Sequence, residues 1–141
     1  MSWPGEGLLA DKSAWARVAR YPDAWSEALR TGQLAICSVV HLELLYSARS
    51  RADIEALDVE LGVVRELPVT RGTLEAAKGA MLDLASAGGD RHHRVSPADA
   101  IIAACAAEHG HGVLHYDAHY DRLATVLGFD SVWVVPRGSV P

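Results

Sequence analysis

The sequence predicts an α/β layer fold with a central, mostly parallel β-sheet flanked by helices. Three observations carry that reading. Short apolar runs alternate along the chain with segments of helical periodicity, the pattern of strands joined by crossover helices. Most of these runs end on an acidic or capping residue, where a strand would give way to a helix. The stretch Ala100 to Ala107 carries no polar side chain except the thiol of Cys105, and a helix apolar all round is buried on every side.

The elements follow in order. Leu8-Leu-Ala10 is an apolar run ending at Asp11, and Ser13 is placed to cap a helix over Ala14 to Ala19. Tyr21-Pro22 breaks that helix, and Asp23 caps a second, Ala24 to Arg30, closed by Gly32. Trp15, Val18, Trp25 and Leu29 form the expected buried faces of this pair. Leu34 to Cys37 is a second strand, after which Ser38 caps a helix from Val39 to about Arg49. Glu43 sits in it among Val39, Val40, Leu42, Leu44, Leu45 and Tyr46, so it needs a partner. A helix-edge Glu reaching solvent or Arg49 is the plainer reading.

Asp53 caps the next helix, which runs to about Gly62 with Ile54, Leu57 and Leu61 at helical spacing. Val63 to Leu67 reads as a third strand closed by Pro68. Thr70 opens an amphipathic helix, about Arg71 to Ser86, with Leu74, Ala77, Met81 and Leu84 on one face, ended by Gly88-Gly-Asp90. A polar loop, Asp90 to Arg94, leads to Ser96. There Ser96 is an N-cap, Pro97 suits the first helical position and Asp99 falls three residues after the cap. A simple capping box is the plain account of Asp99. Val113 to Tyr116 is a strand ending at Asp117, followed by a helix from Ala118 to Leu127 with Tyr120, Leu123 and Leu127 as its apolar face. Gly128 caps it, and Val132 to Val135 is the last strand.

Composition sets limits on function. The 141 residues suffice for a single domain, read as residues 1–141, with a core that needs no disulfide or metal staple. Half the residues are apolar and 22% are charged, an ordinary globular balance. Cys37 and Cys105 lie far apart in apolar runs, without the spacing of a thiolate metal site, and read as core residues. No run approaches the roughly 20 apolar residues of a membrane span, and Met1 to Gly7 lacks the pattern of a signal peptide. The expected location is therefore the cytoplasm, with no membrane association. A net charge of −5 argues against a general nucleic-acid coat. It leaves local basic clusters such as Arg49 with Arg51, or Arg91 and Arg94 with His92 and His93.

In a parallel sheet the functional crevice lies beyond the carboxyl ends of the strands. Asp11, Glu43, Asp99 and Asp117 all fall on that edge. Converging carboxylates raise one another's pKa unless a cation neutralises them. Hard oxygen ligands suit Mg²⁺, with Mn²⁺ as a substitute, and such an ion supports phosphodiester hydrolysis by activating water and stabilising phosphate charge. Asp11 and Asp99 are the expected direct ligands, while Glu43 and Asp117 bind a second ion or orient the nucleophile.

Four stretches carry a family resemblance: Leu9-Ala-Asp-Lys-Ser-Ala14, Ser38 to Arg49, Pro97-Ala-Asp-Ala-Ile-Ile-Ala-Ala104 and His115-Tyr-Asp-Ala-His-Tyr-Asp121. In order and spacing they resemble the acidic motifs of PIN-domain ribonucleases, most of all the VapC toxins of toxin–antitoxin pairs. The resemblance spans about Leu8 to Val135. It implies a PIN-like three-layer α/β fold and a Mg²⁺-dependent endoribonuclease leaving 5′-phosphate and 3′-hydroxyl ends. It further implies a homodimer held inactive by a cognate VapB-type antitoxin, with RNA as substrate. The chain departs from the family where Lys12 stands in place of a frequent Thr, His115 in place of Thr or Ser, and Tyr120 in place of Phe. Asp121, four residues after Asp117, reads as a rim charge or a salt-bridge residue near Arg122.

Other readings fit less well. His115 and His119 have the i, i+4 spacing of helical zinc ligands, but His115 falls on a strand and Asp117 intervenes. A receiver domain needs an acidic pair where Lys12 follows Asp11, and a haloacid-dehalogenase-type phosphatase needs a second Asp where Ser13 stands. The alternative from a different class is a non-catalytic PIN-like module that binds RNA or protein. The antitoxin is expected to direct a short segment, presenting an Arg, into the crevice, and the dimer to form through the early helices.

Overall fold

Strand β1 (Leu8–Ala10) lies at the centre of the molecule, flanked by β2 (Leu34–Cys37) and β4 (Gly112–His115), with β3 (Arg65–Leu67) and β5 (Ser131–Trp133) outermost. A computed structural model describes residues 1–89 and 92–141; Asp90 and Arg91, read above as loop and basic-cluster residues, lie outside the described residues. The order β3-β2-β1-β4-β5 is parallel at every pairing, a stricter arrangement than the mostly parallel sheet expected. The chain lays down β1, β2 and β3 to one side, then returns to place β4 and β5 on the other. The order therefore reverses between β1 and β4, and a crevice opens at the carboxyl ends of these two strands.

Among the described residues, seven helices complete the layers: α1 (Lys12–Trp15), α2 (Pro22–Arg30), α3 (Ser38–Tyr46), α4 (Arg51–Leu61), α5 (Arg71–Ala87), α6 (Pro97–Glu108) and α7 (His119–Leu127), with a 3₁₀ turn at Val18–Arg20. Side-chain alternation along the strands divides the core in two. Leu9 and Val113 point into a cluster with α3, α5, α6 and α7, whereas Leu8, Ala10 and Leu114 pack with Trp3, Ala14, Trp25 and Ala28. As expected of an apolar segment, α6 buries Ala100 and the run Ile102 to Ala106. Both cysteines are buried and free. No helix among the described residues is long and apolar enough to cross a membrane.

Several element ends differ from expectation. Asp11, not Ser13, caps α1, and the expected helix over 14–19 shortens into α1 plus the 3₁₀ turn. α2 begins at Pro22 with no side-chain cap from Asp23. Ser38 is the first residue of α3, and Ser50 rather than Asp53 caps α4. α3 stops at Tyr46 because the Ser47 hydroxyl donates to the Leu44 carbonyl at 2.6 Å while the chain tightens. β4 and β5 each start one residue earlier than predicted, and β5 ends at Trp133. Leu29 and Leu74, assigned to buried faces, are 38% and 50% exposed, and Thr73 and Ala80 take the buried places on α5. Thr70 and Thr73 form a reciprocal capping box, which frees Leu74 to face outward.

Candidate active site

Asp11 leaves the end of β1 and turns into α1. Its Oδ2 accepts the Ser13 backbone N–H at 3.1 Å and the Ser13 hydroxyl at 2.6 Å. The same hydroxyl oxygen accepts the Tyr116 N–H at 2.8 Å, so Ser13 ties the end of β1 to the end of β4. This, rather than helix capping, is its role in the fold.

Asp99 occupies the third position of α6. The Ser96 hydroxyl accepts its N–H at 3.4 Å, but the returning arm of a capping box is missing. Its carboxylate faces the crevice instead: Oδ1 accepts the Tyr120 hydroxyl and Oδ2 lies against His119 Nδ1, both at 3.1 Å. Burial and the charge of Asp11 push the Asp99 carboxyl up to about 6 against the pull of those two contacts.

Glu43 projects from the second turn of α3. Burial and the charges of Asp11 and Asp99 raise its pKa, while the charge of Lys12 acts in the opposite direction. Its Oε1 is buried with no hydrogen-bond partner, and no pairing with Arg49 forms among the described residues. An orphaned carboxylate oxygen in this position costs free energy until a cation or water occupies the crevice.

Asp117 follows β4. Its Oδ1 accepts the His119 N–H at 2.9 Å and lies 3.8 Å from His119 Nδ1. Its own N–H donates to His115 Nδ1 at 3.1 Å. His115 is fully buried and faces β5, where its Nε2 meets Ser131 Oγ at 2.7 Å. Because Nδ1 accepts, the ring proton belongs on Nε2, and burial pushes the imidazole down to about 4. His115 and His119 therefore point to different places, and no paired-histidine zinc site forms. Asp121 does not line the cleft and forms no salt bridge with Arg122 among the described residues: it accepts the Ser131 hydroxyl at 2.7 Å and Trp133 Nε1–H at 3.1 Å, while Arg122 donates to the His92 carbonyl.

All four expected carboxylates line one cleft of about 370 Å³, with Lys12, Ser13, Ala16, Ser96 and His119. Ligand atoms of Asp99, Asp117 and His119 lie within 4.8 Å of one another, the spacing of an ion site. The oxygen-rich donor set, the orphaned Glu43 oxygen and the elevated Asp99 pKa together fit a divalent cation. Sequence reasoning missed His119 and Tyr120 as partners of Asp99. Tyr120 occupies an apolar helix position, and the partner of His119 lies twenty residues away.

The model of the PIN domain family matches residues 8–126. Ribonuclease VapC18 of Mycobacterium tuberculosis is 42% identical over 135 residues, covering 94% of this chain and 98% of the relative. Ribonuclease VapC51 of the same organism is 36% identical over 134 residues, covering 94% and 96%. In fold, the chain is similar to one in the crystal structure of the VapBC-5 toxin–antitoxin system from Mycobacterium tuberculosis, with a TM-score of 0.68 at 23% identity over 92% of this chain and 99% of the other. DNA-bound VapBC from Salmonella typhimurium gives a TM-score of 0.73 at 17% identity over 93% and 100%.

Proposed function

The chain belongs to the PIN-domain family, among its VapC ribonucleases, and on that premise we propose that it is a Mg²⁺-dependent endoribonuclease, the toxin of a VapBC-type pair. The observation that carries the reading is the meeting of Asp11, Glu43, Asp99 and Asp117 in one cleft where the strand order reverses. The whole chain, residues 1–141, acts as one PIN domain.

Asp11 and Asp99, which line the same cleft, would hold the ion, and Asp117 and His119, whose ligand atoms lie within 4.8 Å of that of Asp99, would be available to it. When bound, Mg²⁺ neutralises the clustered carboxylates, activates water and stabilises charge on the scissile phosphate. The chain supplies the rest. Ser13 fixes the Asp11 carboxylate, and Tyr120 fixes that of Asp99. Glu43, whose carboxyl is raised by burial and by the charges of Asp11 and Asp99, would orient the attacking water and take up its proton. Mn²⁺ would serve in place of Mg²⁺, since both accept oxygen ligands. The partners are an RNA substrate, a VapB-type antitoxin directing an Arg-bearing segment into the cleft, and a second copy of the chain. The place of action is the cytoplasm.

Incubation of the purified chain with structured cellular RNA in Mg²⁺ tests this reading. Discrete cuts with 5′-phosphate ends are expected, abolished by chelator and reduced roughly 100-fold or more by Asp99→Asn, the scale of losing one charge-stabilising group. RNA binding that survives chelation, with no cutting by folded antitoxin-free protein, would replace it with a non-catalytic binding module.

A further inference from the structure

Lys12 lines a cleft whose other charged walls are Asp11, Glu43, Asp99 and Asp117. It is half-buried at the first position of α1, directly after Asp11. An ammonium beside four carboxylates would be expected to settle on one of them. Among the described residues, however, no carboxylate oxygen lies within 4.0 Å of it, and its charge is felt by Glu43 only at longer range. The next cation along the chain is already engaged: Arg17 donates to the Ser13 carbonyl at 2.8 Å and the Pro141 carbonyl at 3.0 Å, and its guanidinium lies 4.0 Å from the Tyr116 ring centre.

A positive charge at this point opposes the entry of a divalent cation and gains no ion pair in return. It becomes favourable when an anion enters with the cation. A phosphodiester approaching an acidic cleft on a chain of net charge −5 needs local compensation, and a lysine ammonium is a compact point charge suited to phosphate oxygens. We infer that Lys12 is a substrate-contacting residue whose ammonium holds an RNA phosphate at the lip of the acidic cleft. The inference rests on the ribonuclease reading above and adds to it the group that binds the backbone of the substrate.

The test compares wild type, Lys12→Gln and Lys12→Arg by steady-state RNA cleavage in Mg²⁺ over a salt series, and by Mn²⁺ titration without RNA. Lys12→Gln should raise KM roughly tenfold, the scale of one charge-assisted hydrogen bond, with kcat retained. The slope of log(kcat/KM) against log salt should become shallower by about 0.7, one phosphate contact to a single strand. Mn²⁺ affinity should hold or rise, because a repelling charge has gone, and Lys12→Arg should restore KM. Weakening of RNA and Mn²⁺ binding together would make Lys12 a structural support and overturn the inference. An unchanged KM and salt slope, or a loss confined to kcat, would also overturn it. A wild-type protein that cuts no RNA defeats the ribonuclease reading itself, an outcome visible before any variant is compared.

Discussion

At the scale of single residues, the cleft sets the stability of the fold against its function, and Asp99 bears most of the conflict. Its carboxyl holds a proton up to about pH 6 in the fold, whereas in an unfolded chain it ionises near pH 4. The native state thus binds more protons than the unfolded state between those values, and stability of the metal-free protein falls as pH rises from about 4 to about 6. Asp99→Asn removes that penalty while leaving an acceptor for Tyr120. At pH 7 and without metal, the variant should be more stable than wild type by on the order of 2 kcal/mol, and its urea midpoint should decline less than that of wild type between pH 4 and 6, the raised Glu43 carboxyl accounting for what remains. A wild-type midpoint that is flat over this range would show that Asp99 ionises normally. Metal binding needs the ionised form, so Mn²⁺ affinity should drop by about tenfold per pH unit below pH 6, measured by titration calorimetry. That the four acids fall on one cleft could be read from the sequence: Asp11 and Asp117 follow apolar runs, Asp99 opens a buried helix, and Glu43 stands among apolar residues of α3. The role of Ser13 is not legible in the same way, since a Ser two residues after an Asp suits capping as well as it suits bracing that Asp.

At the scale of elements, the strands and most helices follow from periodicity, and their ends do not. An N-cap is chosen among neighbouring Ser, Thr and Asp side chains by small energy differences, and the turn that precedes the helix decides among them. Ser50 therefore takes the role expected of Asp53, and Asp11 that of Ser13. The helix that carries Asp99 was legible for a stronger reason: a segment without polar side chains has one place to go. α6 presents Ala103, Ala104 and Ala106 to the core, and Ala77 and Ala80 of α5 are buried in the same cluster. Small side chains on both helices let them approach closely and leave no space for a larger one. Ala103→Leu should destabilise the protein by about 1–3 kcal/mol, read as a lower denaturant midpoint, and should weaken Mn²⁺ binding by displacing the first turn of α6. A variant as stable as wild type would reveal slack in this interface.

At the scale of the whole molecule, the cleft draws on both layers. α1 brings Asp11 and Lys12 from the face packed by Trp25 and Ala28, whereas α3 and α6 bring Glu43 and Asp99 from the opposite face. Periodicity gave no meaning to the first seven residues, because the partners of that segment lie at the other end of the chain. Trp3 is buried, donates its indole N–H to the Val134 carbonyl at 3.0 Å, and meets the edge of Trp25, which in turn packs on Trp15 at the end of α1. The segment thus closes the second core and joins β5's exit to the helix that follows Asp11. Trp3→Ala should cost about 3–5 kcal/mol, since it opens a cavity and orphans a buried carbonyl, and should alter the fluorescence of Trp25 and Trp15. The two-layer arrangement makes a sharper claim as well. Asp99 is held from the other face by α6 and α7, but the charge of Asp11 is one cause of its raised carboxyl, so the folded fraction of Trp3→Ala should lose Mn²⁺ affinity as α1 loosens around Asp11 and should move the pH midpoint of binding downward. An unshifted pH midpoint would mean that the two layers are separable and that the N-terminal segment does not act on the cleft through Asp11.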